Sequence, residues 1–257
     1  MIYQTLSYPT KSQRKMQRKP PHKCILVLSG WSDGPLHPLQ YHLNNEVQFI
    51  QVHIPTPPAG CRWWLNPYLC LLLGLLYCTP MLFRSISSVF PSSSLHYISI
   101  MGLVLLLCIA LRKTVAYLVQ YAVRDSVRIV TKAIEKYNPI AIVGFSWGAG
   151  ILYEILDVWQ GHALLLAPTI FPISSIASTP CTEYNDEATR ATTGHRRVVI
   201  VCGDDDPFCS ASQKKFLTTT TPFEYISVHD DHVLCEKTTR DLCLRIVKDF
   251  IHVGRVD

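Results

Sequence analysis

Residues 63–111 of this 257-residue chain carry one charge, Arg84. Arg62 and Arg84 bracket 21 uncharged residues, with an apolar core from Tyr68 to Tyr77. Arg84 and Arg112 bracket 27 more, with an apolar core from Ile98 to Leu111. A helix needs about 20 apolar residues to cross the hydrocarbon of a bilayer. Both runs meet that length, whereas two buried core helices of a soluble protein rarely do. The expectation is an inserted pair of transmembrane or re-entrant helices over residues 60–112. Pro67, Pro80 and Pro91 are suited to kink a re-entrant hairpin. Trp63, Trp64 and Tyr68 stand where an interfacial aromatic belt falls, and Arg112 and Lys113 cap the far end. The basic flanks outweigh Arg84, which places both termini in the cytosol and the loop near residues 84–94 on the other side.

Charge is local in the same way. The chain has 24 Lys+Arg and 19 Asp+Glu, a net charge of +5. Lys11, Arg14, Lys15, Arg18, Lys19 and Lys23 lie in residues 1–23, which hold no acid. The remainder is nearly neutral. A nucleic-acid-binding domain carries its basic residues on a folded face, so no nucleic-acid partner is expected. Residues 1–23 read first as a solvated tail, second as a segment resting on anionic lipid, and last as a transit peptide. They lack the apolar core of a signal peptide. The ten cysteines form no CxxC zinc pattern and no dense disulfide framework, so buried thiols in a reducing compartment are expected. Cys61, beside the first apolar run, is a weak palmitoylation candidate. No cofactor or metal pattern is present, and the sequence does not indicate an oligomeric state.

Outside 63–111, strands alternate with helices. Cys24–Leu28 is a continuous apolar run, suited to a strand buried on both faces. A turn-rich loop from Ser29 to Pro35 follows, then a short helix over 36–45 and a strand over 47–54. Residues 113–137 have helical periodicity, stopped by Asn138-Pro139. Strands are expected at 140–143, 162–166, 198–201 and 223–228. Helices are expected at 148–159, 210–217 and 234–252. Residues 168–196, rich in Ser, Thr and Pro, read as a long loop. The pattern predicts an α/β fold with a mostly parallel sheet and helices on both faces.

Gly144-Phe145-Ser146-Trp147-Gly148 is a G-x-S-x-G placed between a predicted buried strand and a predicted helix. That context puts a serine on a strained turn, where small residues two before and two after relieve crowding. The helix N-terminus favours negative charge developing nearby. A serine hydroxyl needs a base to become a nucleophile. His229 and His232 both follow the last predicted strand, and His232, just before the final helix, is the better placed. Asp204, Asp205 and Asp206 follow the preceding strand and are candidates to orient that histidine.

In these residues the chain resembles an α/β-hydrolase. The order Ser146…Asp206…His232 is similar to that family's order of nucleophile, acid and base. The family's acid usually falls three residues after the glycine ending its strand. Counting from Gly203, the resemblance implies Asp206. It likewise implies His232 as base and the backbone N–H groups of Trp31 and Trp147 as the oxyanion hole. Removing one such donor typically costs about 3 kcal/mol of transition-state stabilisation. The resemblance covers residues 24–59 and 113–252, leaving 60–112 as the membrane insertion. It implies a serine hydrolase of acyl esters or thioesters. Ligands of open α/β sheets bind beyond the carboxyl ends of the strands, where the insertion also departs. The expected partners are therefore a lipid bilayer and a lipid or lipidated acyl substrate. A catalytically inactive membrane-anchored interaction protein and a serine peptidase of the same fold are the alternatives.

Overall fold

Five-residue apolar runs between turns account for most of the sheet. In the computed structural model, which describes residues 23–30, 35–43, 47–56, 73–74, 77, 93–184 and 196–253, β1 (Cys24–Leu28) is buried at every position. It is followed by α1 (Leu36–Leu43), β2 (Gln48–Val52) and the 45-residue α2 (Ser93–Tyr137). Next come β3 (Ala141–Phe145), α3 (Trp147–Glu154), β4 (His162–Leu166) and α4 (Ile170–Ala177). The chain closes with β5 (Val198–Gly203), α5 (Ala211–Thr219), β6 (Glu224–Val228) and α6 (Lys237–Val253).

The six strands form one sheet in the order β2-β1-β3-β4-β5-β6, and every described pair is parallel. Side chains alternate across it, so each buried strand feeds two cores. Leu26, Leu28, Ile142, Leu165 and Ile200 face a core closed by α2, α3 and α5. Ile25, Val27, Val143, Leu164 and Val201 face a core closed by α1 and α6. The expected mostly parallel α/β sheet with helices on both faces is the observed architecture.

The structure corrects two of the expected elements. The second apolar run does not end at Arg112. It continues unbroken into the helix expected from 113, so residues 93–137 form one helix. The reason is local: no Gly or Pro occurs between Leu103 and Tyr137, and Arg112 and Lys113 are themselves good helix formers. Of the first arm of the expected pair, only Leu73, Gly74 and Tyr77 are described, all helical and exposed. The rest of that arm lies outside the described residues, as does the basic tail at 1–22. Among the described residues one helix is long and apolar enough to cross a membrane, with a best window of mean hydropathy 2.0 that is 22% buried.

The second correction concerns the expected loop at 168–196. Its first part is α4, held by burial of Ile170, Ile173 and Ala177. Pro172 sits in the first turn, where its missing N–H is not needed by the helix. Residues 185–195 lie outside the described residues.

The direction of α2 follows from two contacts. Its last residue, Tyr137, accepts a hydrogen bond from the Cys24 thiol (3.3 Å) at the start of β1. Ser126 donates to the Pro55 carbonyl (3.3 Å), three residues past the end of β2. The helix thus runs antiparallel to the strands, and its apolar N-terminal part projects beyond the sheet's C-terminal edge.

Candidate active site

β3 delivers the serine. Ser146 follows its last residue and has φ 52° and ψ −115°, a conformation that non-glycine residues adopt only under constraint. The constraint is packing. A Cβ on Gly148 would stand 2.1 Å from the Leu28 carbonyl oxygen, and one on Gly144 2.7 Å from the Ala149 Cα. Only glycines let α3 sit this close to the strands. The Ser146 N–H is used by the neighbouring strand, donating to the Leu166 carbonyl (2.9 Å) at the end of β4. The side chain is left to face the sheet edge.

The structure brings Ser146, His232 and Asp206 together. The His232 Nε2 is 2.9 Å from the Ser146 Oγ. The His232 Nδ1 is 2.9 Å from one Asp206 carboxylate oxygen and 3.0 Å from the other. A carboxylate only accepts, so Nδ1 carries the proton and Nε2 is free to accept from the serine hydroxyl. Ser146 and Asp206 are buried, at 4% and 5% exposure. Asp206 also accepts from the Phe208 N–H (2.8 Å).

The neighbours that sequence order left open are elsewhere. His229 is exposed. Asp204 is exposed, accepts from the Ser227 hydroxyl and pairs with Lys214 (3.7 Å), and the Ser227 hydrogen bond and the lysine hold its carboxyl below the ordinary range. Asp205 is exposed too. Gly144 lies in β3 and Gly148 in the first turn of α3, on either side of Ser146.

The Trp147 N–H opens α3, where first-turn donors have no intrahelical acceptor, and it directly follows the serine. The loop after β1 passes close by: a Cβ on Gly30 would lie 2.9 Å from the Ser146 Cβ and 3.1 Å from the Trp147 nitrogen. Trp31, the other expected donor, lies outside the described residues.

Two contributors are not distinguished by sequence reasoning. Phe208 packs its ring against the His232 imidazole (centroids 4.7 Å apart, tilted 61°), and the Phe145 ring lies at 5.6 Å. Nothing in the sequence marks it beyond its place two residues after Asp206. Asp230 is buried and ties together the loop that carries His232. Its carboxylate accepts from the N–H groups of Asp231 (2.9 Å) and Glu236 (3.0 Å), and its carbonyl accepts from Asp205 (3.2 Å). Asp230, Asp231 and Cys235 bring ligand atoms within 4.8 Å of one another. The two backbone bonds to the Asp230 carboxylate already account for its burial there.

No family model matches this sequence, and no curated protein is similar to it. Solved structures are. The ydeN gene product from B. subtilis is 11% identical with a TM-score of 0.50, over 90% of this chain and 99% of its own. A Bacillus cereus carboxylesterase is 13% identical with a TM-score of 0.49, over 89% of each chain. A Xanthomonas campestris protein assigned to the α/β superfamily of hydrolases is 12% identical with a TM-score of 0.48, over 89% of this chain and 99% of its own. At these identities the likeness is one of fold.

Proposed function

We propose that this protein is a membrane-associated serine hydrolase that cleaves acyl esters or thioesters through an acyl-enzyme on Ser146. The reading rests on the unbroken Ser146–His232–Asp206 hydrogen-bond relay. His232 Nε2 takes the hydroxyl proton as Ser146 Oγ attacks the acyl carbon. The tetrahedral oxyanion is stabilised by the Trp147 N–H and, from the loop after β1, by Trp31. Collapse expels the alcohol or thiol, which receives the proton from His232. Water then attacks the acyl-enzyme with His232 again as base, releasing the acid and restoring Ser146. Asp206 holds the imidazole in the required tautomer throughout and stabilises its positive charge.

Membrane association is supported by α2, whose apolar side chains at Met101, Leu105, Leu106 and Leu111 are more than half exposed. A helix apolar on all sides belongs in a core or a bilayer. Arg112 and Lys113 at the domain side of this stretch support a domain facing the cytosol.

The test is labelling of the detergent-solubilised chain by a fluorophosphonate, alongside hydrolysis of p-nitrophenyl butyrate. Both are expected in the unaltered protein and absent in Ser146→Ala. Labelling that survives the substitution rejects Ser146 as nucleophile.

A further inference from the structure

We infer that α2 is a rigid strut holding the catalytic face toward the bilayer at a stand-off of about 20 Å, and that the substrate is an acylated polypeptide anchored in that same membrane. The inference rests on the acyl-hydrolase reading above. Val52, Leu28 and Gly144 stand side by side across β2, β1 and β3. Pro55 is three residues beyond that line and Ser146 two, so the two lie at a similar height above the sheet. Ser126 bonds Pro55, which puts Ser126 of α2 level with the nucleophile.

From Ser126 the helix climbs away from the sheet. Fourteen residues lead back to Arg112, about 21 Å at 1.5 Å per residue. This section is clamped to the domain. Ala116, Val119 and Ala122 are buried, and Gln120 donates to the Ala177 carbonyl (2.7 Å) at the end of α4. Beyond Lys113 the character of the helix changes. Val104, Leu105, Leu106, Ile109 and Leu111 are all about half exposed or more. Residues 93–111 span about 28 Å, close to the hydrocarbon thickness of a bilayer. The Arg112-Lys113 pair then falls at the level of anionic head groups. A tilt of about 20° leaves the stand-off near 20 Å.

The consequence concerns substrate. The ester bonds of a glycerolipid lie at the interface itself, about 20 Å short of Ser146. A thioester or ester on a polypeptide tethered to the membrane reaches across that gap. The helix is continuous from the apolar stretch to the packed section, so the domain cannot descend to the lipid without breaking α2.

The test uses the full chain in vesicles of phosphatidylcholine with one-fifth phosphatidylserine. The substrate is an S-acylated peptide anchored by a second lipid through zero, three, six or nine prolines, each adding about 3.1 Å. The expected rate is highest at six prolines and at least about tenfold above that at zero or on a phosphatidylcholine ester. Insertion of seven helix-forming residues after Lys113 lengthens the strut by about 10 Å. It should move the optimum to nine prolines and leave soluble p-nitrophenyl butyrate turnover within about twofold. A flat profile, an optimum at zero, or failure of the chain to float with vesicles overturns the inference while soluble turnover persists. Absence of soluble turnover in the unaltered protein overturns the hydrolase reading and this inference with it.

Discussion

The Ser146 Oγ lies 2.9 Å from the His232 Nε2, across 86 positions of sequence. The contact needs a serine pushed out of β3 by a strained turn and a base loop carried in from the far side of β5. Each half can be disturbed separately.

Asp206→Asn keeps the size of the acid but removes its charge and allows the amide N–H₂ to face Nδ1. The imidazole then carries its proton on the wrong nitrogen. We expect kcat on a soluble ester to fall by about 10³–10⁴-fold, with KM changed by only a few-fold. Steady-state kinetics with circular dichroism as a control for folding checks this. A loss below about tenfold would place the orienting role elsewhere.

Phe208→Ala removes the ring that packs on His232 but keeps the backbone N–H bonded to Asp206. Ring pairs of this kind are worth about 0.5–1.5 kcal/mol, so kcat should drop between about two- and tenfold. Phe208→Tyr should retain near-normal turnover. Equal rates in all three proteins would show that the ring does not hold the imidazole.

Gly148→Ala forces α3 away from β1, because the new methyl carbon would meet a strand carbonyl. Overpacking commonly costs about 1–3 kcal/mol, and a backbone neighbour puts this site at the upper end. The melting temperature in detergent should fall by several degrees and turnover with it. An unchanged melting temperature would contradict the close approach.

His162, at the start of β4, stacks on Phe250 (4.8 Å) and accepts the Arg197 N–H (3.2 Å) at Nδ1. Burial, then the Arg197 charge, holds its pKa below the ordinary imidazole range. The neutral ring is therefore the native one. The unfolded chain gains a proton near pH 6.5 that the folded chain refuses. This site's contribution to stability is complete above about pH 6.5 and is lost as pH falls toward the lower folded value. Thermal melts between pH 5 and 7.5 should show that decline, and His162→Gln should flatten it.

Much of this was legible along the chain. Cys24–Leu28 and His162–Leu166 announce themselves as doubly buried strands by being apolar at nearly every position. The glycines flanking Ser146 mark the elbow because they stand between such a strand and a helix. The first part of the expected loop region was not legible in the same way. Ile170, Phe171 and Ile173 are too few to show a helical period, and they form α4 only because the core beside α2 and α3 buries them.

By itself the sequence determined the alternation of strand and helix, the strained serine and the concentration of apolar residues before Arg112. These rest on local chemistry: which residues suit a pleat, a tight turn or an uncharged surround. The tertiary structure decided which of three consecutive aspartates meets the imidazole, and which of two histidines reaches the serine. Neighbours in sequence differ there only in the direction their side chains take at a strand end, a matter of long-range packing. It also decided where that continuous helix sits: Ser126 and Gln120 clamp its far half to the domain, which leaves the apolar run before Arg112 projecting from it.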